Sequence, residues 1–230
     1  MTVSGDRGPL LIACAMGIER LALRRFGVIQ QGAAGPVTVL RTGMGPLAAG
    51  RAVARALRDE PEAGGTAVVA TGFCAGLLPG MHPGDLVVAD ETRDAWGRTE
   101  CTRTELLAEA LRPYGTVHVG PLAGSAHIVR GPSRSALRTA TSAVAADMES
   151  AATLRTATTP AGRRGASGGP DPSAPERRRP VAAVRVVVDA PGHELIRLGT
   201  LRGGISAFRM LSGVVPAFLE WHRSLLLPWR

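Results

Sequence analysis

A chain of 230 residues with 45% hydrophobic residues is long and apolar enough for one α/β core, which excludes a disordered polymer and makes a single domain over 1–230 the expectation. Only 4 Phe, 1 Tyr and 3 Trp are present, so the core is aliphatic and nucleic-acid stacking platforms are not expected. The net charge of +8 is carried by Arg alone, with no Lys and no Asn in the chain, and reads as compositional bias rather than as a sign of a polyanionic partner. Cys14, Cys74 and Cys101 form no CxxC pair and leave an odd thiol, as expected of reduced cysteines in a cytoplasmic protein.

Short apolar runs bounded by Gly and Pro recur along the chain: Leu10 to Ala15, Val37 to Thr42, Thr66 to Thr71, Asp85 to Ala89, Thr116 to Leu122 and Val181 to Val188. They read as buried strands. The first contains Leu11-Ile12-Ala13-Cys14, a lipobox-like tetrapeptide, but Pro9 to Ala13 is too short for the apolar part of a signal peptide. No stretch approaches the roughly 20 apolar residues of a membrane span. Helical patterns lie between strands, at Ile18-Leu21-Leu23-Phe26 and at Pro46 to Arg58, where Pro46 suits a first helical position. Alternation of the two predicts a mixed, largely parallel sheet between helices, a three-layer α/β sandwich with its site at the carboxyl ends of the strands. Arg155 to Pro180 has no apolar period, is dense in Gly, Pro, Ser and Arg, and is expected to be a disordered insertion; its arginines allow a solvated surface or an anionic contact. Near the C-terminus, Ile205, Phe208, Leu211, Val215, Phe218, Leu219, His222 and Leu226 form a helical apolar stripe, with Pro216 either opening a second helix or kinking the first. The chain closes on Leu225-Leu226-Leu227-Pro228-Trp229-Arg230, an ending that suits a peripheral membrane contact, a subunit contact or docking on the domain.

Four strand ends are rich in small residues: Cys14 to Glu19, Thr42 to Ala48, Thr71 to Leu77 and Asp147 to Ala152. Small residues at such turns let backbone N–H groups approach a polar ligand. Gly43-Met-Gly45-Pro-Leu-Ala48 also fits a GxGxxA dinucleotide fingerprint, yet the acidic residue that should end the next strand is missing, because that strand closes on Thr71-Gly72. Two rival readings follow, an NAD(P)-dependent oxidoreductase and a catalytically idle membrane-binding or scaffold protein. The five histidines lack HxH or HxxxH spacing, no Cys/His cluster is present, and neither a GxSxG elbow nor a Walker lysine occurs. No metal and no cofactor are expected.

In order along the chain, TGFCAGLLPGMHPGDLVVADE from Thr71 to Glu91, DMES from Asp147 to Ser150 and VRVVVD ending at Asp189 resemble the nucleoside phosphorylase and nucleosidase family, which includes purine and uridine phosphorylases and methylthioadenosine/adenosylhomocysteine nucleosidases. The C-terminal RGGISAFRMLSGVVPAFLEWHRSLLLP is similar to that of the hopanoid-associated members, which remove adenine from adenosylhopane. The resemblance implies cleavage of the N-glycosidic bond of an adenine nucleoside by a homo-oligomeric enzyme, with inorganic phosphate or water as acceptor, and futalosine hydrolysis as a further alternative. Asp189 then takes the role of acid at purine N7, while Glu149 accepts from the ribose hydroxyls and Met148 packs on the sugar. Glu19 orients the nucleophile. Thr71, Gly72, Phe73, Cys74, Ala75 and Gly76 form a wall of the substrate site, His127 and Ile128 face the base, and Gly43, Met44 and Gly45 hold phosphate or water. Read locally, Asp189 could instead cap the Ala190-Pro191-Gly192 turn, Asp147 cap a helix that Glu149 and its dipole support, Glu19 start a helix, and His127 sit in a strand. Two departures stand out: Val188 replaces the Ser that precedes the acid in many relatives, and Ala70 stands where some purine phosphorylases carry a phosphate-binding Arg, leaving Arg41 or a partner's Arg as substitute.

Overall fold

The computed structural model describes residues 8–24, 35–58, 65–159, 179–191 and 200–225. Strand β1 (Leu10–Cys14) is buried along its whole length, as the run Leu-Leu-Ile-Ala-Cys requires, and lies between two parallel neighbours, β2 (Val37–Arg41) and β3 (Ala67–Gly76). The sheet continues through β4 (Leu86–Asp94), β5 (Gly97–Glu100), β6 (Val117–Gly124), β7 (Ala145–Asp147) and β8 (Val181–Asp189). Its order is β2-β1-β3-β7-β6-β4-β5, with β8 pairing both β3 and β4. Consequently β3, β8, β4, β6 and β7 form a closed circuit of paired strands, in which β3–β8, β4–β6 and β6–β7 are parallel and β8–β4 and β7–β3 antiparallel. The six strands expected from the sequence are present. β5 and β7 are additional, and β7 is what closes the circuit.

Helices cover both faces. On one side α1 (Gly17–Arg24), α3 (Thr104–Leu111), α6 (Thr200–Gly213) and α7 (Val215–Ser224) pack through Leu23, Leu107, Leu211 and Phe218 onto Ile12, Val69, Leu86 and Val184. On the other, α2 (Pro46–Ala56) and α5 (Ser150–Thr158) bury Val53, Leu154 and Ala157 against Leu11, Val68, Val87 and Ala183. The three-layer expectation holds. Pro216 opens α7 rather than kinking α6, and Phe208, Leu211, Val215, Phe218, Leu219 and His222 of the stripe face the core. Among the described residues, no helix is long and apolar enough to cross a membrane.

The insertion is narrower than its composition suggests. Arg155 to Thr158 belong to α5, and Arg179 is buried, donating from Nε to the Ala157 carbonyl at 3.1 Å and from a guanidinium nitrogen to the Thr66 carbonyl at 3.1 Å. The remainder, 160–178, lies outside the described residues, as do Phe26, Leu226 and the rest of the C-terminal tail.

Candidate active site

Glu19 sits in the first turn of α1 and is 1% exposed. Its Oε2 accepts the N–H groups of Ala15 and Met16 at 2.9 and 2.8 Å, and its Oε1 accepts that of Phe73 at 2.9 Å. The turn after β1 and the middle of β3 are thereby tied to one internal anion. Gly72, at φ +135°, makes this possible: a Cβ there would lie 2.8 Å from the Glu19 carboxyl carbon and 2.6 Å from a guanidinium nitrogen of Arg185.

Arg185 points inward from β8 in an otherwise apolar run and is 1% exposed. It forms an ion pair with Asp147 and donates from Nε to Ser150 Oγ and from a guanidinium nitrogen to the Thr71 carbonyl, both at 2.9 Å. Burial alone would push its pKa down, but Asp147, Glu149 and Glu19 together hold it above its ordinary value. Asp147 also accepts the Ser150 N–H at 3.0 Å, but the N-cap position of α5 is Glu149, so Asp147 braces the start of the helix from outside it rather than capping it. Glu149 projects from the same turn and accepts the Gly45 N–H at 2.8 Å. Its carboxyl is raised above the usual range chiefly by burial, with Asp147 and Glu19 adding and Arg185 and the Gly45 N–H opposing.

Asp189 ends β8 one residue beyond a bulge: Cys74 pairs with Val187 and Ala75 with Asp189, leaving Val188 without a counterpart in β3. Bulges re-aim side chains beside sites, and here the carboxylate turns to a cavity wall, in an ion pair with buried Arg134 of α4 (Pro132–Thr141). The cavity has a volume of about 210 Å³. Glu19, Asp147, Glu149 and Asp189 supply its carboxylates, and Met16, Met44, Phe73, Ile128, Met148 and Val188 much of its apolar lining. Such a chamber, lined by four carboxylate residues among apolar side chains, suits a ligand that develops positive charge as it reacts.

Of the residues expected at the site, Glu19, Glu149, Met148, Phe73, Cys74, Ala75, His127, Ile128, Met44 and Asp189 line this cavity. Thr71, Gly72, Gly76, Gly43 and Gly45 do not: Thr71 receives Arg185 through its carbonyl, Gly72 clears the space for Glu19, and the Gly45 N–H is committed to Glu149. Gly76 abuts Met81, and Gly43 lies over Ala48. His127 is not a strand histidine; it is exposed in the loop after β6, where its carbonyl accepts from Ser125 Oγ at 2.7 Å. Neither Ala70 nor Arg41 lines the cavity. The sequence reading missed Arg185 and Arg134, although a lone charge inside Val184 to Val188 was a legible signal for the first. Burial pushes Cys14 and Cys101 up to about 12 and Cys74 higher still, away from the reactive thiolate form. Among the described residues, no group of three His, Cys, Asp or Glu is placed to hold a metal ion.

The sequence pattern of the Phosphorylase superfamily matches residues 1–159, more than half of the chain. The chain belongs to the phosphorylase superfamily. No curated protein sequence matches it significantly. Among solved structures of similar fold is a Neisseria meningitidis 5′-methylthioadenosine/S-adenosylhomocysteine nucleosidase in complex with methylthio-immucillin-A, at TM-score 0.66 and 19% identity over 91% of this chain and 99% of that one. A Streptococcus pyogenes S-adenosylhomocysteine nucleosidase in complex with 5-methylthiotubericidin gives 0.70 and 18% over 98% and 100%. A Helicobacter pylori nucleosidase, a point mutant with 5′-methylthioadenosine in its active site, gives 0.68 and 13% over 95% and 99%. The superfamily fold is thus shared along nearly the whole length of these chains.

Proposed function

We propose that this superfamily member cleaves the N-glycosidic bond of an adenine nucleoside, with adenosylhopane as first candidate substrate and methylthioadenosine or adenosylhomocysteine next. The observation that carries the reading is the meeting of Glu19, Glu149 with Met148, and Asp189 around one cavity from three distant parts of the chain. Breaking the bond between C1′ and the base leaves positive charge on the ribose and sends the bonding electron pair to the purine. On this reading Asp189 acts as the acid that relieves the second charge at N7, and Glu149, accepting from the 2′ and 3′ hydroxyls, stabilises the first.

The state of Glu19 supports water rather than phosphate as acceptor. Three backbone N–H groups that could receive an oxyanion already hold its carboxylate, and a phosphate placed there would face Glu149 and Asp147 as well. On this reading Glu19 takes a proton from the water that attacks C1′. An apolar 5′ substituent suits Met44 and Ile128, which line the cavity while 61% and 58% exposed. The exposed Ile18, Leu21 and Leu47 suit the homo-oligomer expected from the resemblance, which sedimentation velocity measures.

Adenine release from adenosylhopane, adenosylhomocysteine and methylthioadenosine, each with and without phosphate, tests the reading. Release independent of phosphate, with free ribose C1′ hydroxyl as product, is expected. Release of no adenine from any of them refutes the reading, and phosphate-dependent release refutes the hydrolytic part.

A further inference from the structure

Helix α4 packs Leu137 half-buried against an apolar cluster, and its one fully buried residue is a cation: Arg134, 3% exposed, in the first turn. Burying a guanidinium is costly unless it meets an anion, and this one meets the carboxylate of Asp189, whose side chain is as buried as its own. Asp189 lines the cavity and Arg134 does not, so the cation stands behind the carboxylate. The preceding residue, Val188, has no polar side-chain atom. The bulge at Val188 turns Asp189 toward the cavity. Finally, α4 begins immediately after the loop that carries His127, Ile128 and Val129 to the cavity wall.

The geometry points to Arg134 as the positioning residue for Asp189, an inference that rests on the reading of Asp189 as the acid facing purine N7. One short helix then registers the loop beside the base and the acid that serves it. On that reading Asp189 enters the step as the neutral acid; as the bond between C1′ and N9 breaks, its electron pair passes to the purine, the Asp189 proton passes to N7, and the carboxylate left behind is the anion that Arg134 pairs, with Arg134 keeping all its protons. Its task is to hold the carboxyl plane, and a misplacement on the scale of 1 Å is enough to lose about 100-fold in rate.

The test uses the full chain with 5′-methylthioadenosine and its 7-deaza analogue, which differ only at the atom that Asp189 would contact. In R134M, kcat on methylthioadenosine is expected to fall about 10- to 100-fold with KM within about threefold. The binding preference for the N7-bearing ligand should collapse toward unity, whereas a merely structural role would weaken both ligands alike. R134K, with the charge but not the fork, should fall between R134M and wild type. In a D189A background, R134M should cost less than about twofold more, because its partner is already gone. A folded R134M with wild-type kcat and preference overturns the inference; where R134M does not fold, wild-type kcat in R134K does so. D189A with wild-type turnover and preference overturns instead the reading of Asp189 as the acid, and a wild type that binds neither ligand and releases no adenine overturns both.

Discussion

Gly72→Ala probes whether the interior of the site is held as rigidly as its hydrogen bonds imply. Alanine at φ +135° carries backbone strain of about 1–3 kcal/mol. Its methyl would also stand 2.6 Å from an Arg185 nitrogen and 2.8 Å from the Glu19 carboxyl carbon. Neither group can swing aside, since Glu19 is fixed by three N–H donors and Arg185 by Asp147, Ser150 and the Thr71 carbonyl. Overpacking of this kind adds about 1–3 kcal/mol, so a total of about 2–6 kcal/mol is expected. For a domain of this size that corresponds to a fall in Tm on the order of 10 °C. Denaturant unfolding gives the free energy, and adenine release the accompanying loss of turnover as Glu19 is displaced. The cycle with Glu19→Ala isolates the clash: in that background Gly72→Ala should cost at least about 1 kcal/mol less. A Gly72→Ala protein with Tm within about 2 °C of wild type and unchanged turnover would refute the argument for a rigid, fully committed interior.

Four further outcomes are expected. Asp189→Asn keeps shape but has no acidic proton for N7, so kcat should fall about 10² to 10⁴-fold, and Tm should fall as well because Arg134 is left buried without its anion; an unchanged kcat removes Asp189 from the chemistry. Because burial raises the Glu149 carboxyl, the folded chain binds that proton more tightly than the unfolded chain, so stability is lost as pH rises from the ordinary carboxylate range through the raised value. Turnover should rise across the same window as Glu149 ionises, and Glu149→Gln should flatten both profiles; a variant that keeps the wild-type acid limb excludes this source. Iodoacetamide at pH 8 should leave Cys14, Cys74 and Cys101 unlabelled in the native protein and label all of them in denaturant, as read by mass spectrometry. Arg179→Ala leaves the Ala157 and Thr66 carbonyls without their donor and should cost about 2–4 kcal/mol in denaturant unfolding, which a loss below about 0.5 kcal/mol would contradict.

Much of the site was legible because its carboxylates sit in short local motifs: Glu19 three residues past Met16, Glu149 in Asp147 to Ser150, and Asp189 at the end of an apolar run. Arg134 was not, since it stands between exposed Ser133 and Ser135 and its partner Asp189 is distant in sequence. Strand β5 is polar and exposed, and β7 is three residues long, so neither carries a period that a sequence pattern can detect. Closure of the strand circuit depends on non-local pairing and leaves no mark in any one segment. Arg155 to Thr158 looked like loop for a different reason: this end of α5 packs through small residues, with Thr156 close against Gly50 of α2, and small residues weaken an apolar period without weakening the packing.

The staple made by Arg179 has an architectural consequence. It brings the chain back beside Ala157, so the two ends of the stretch 160–178 are neighbours held by the folded domain itself. Extra length between ends already held together costs closure entropy only slowly, which makes this junction a natural port for grafted sequence. A second tie of the same kind joins Gly8, ahead of β1, to His222 of α7 through a backbone hydrogen bond.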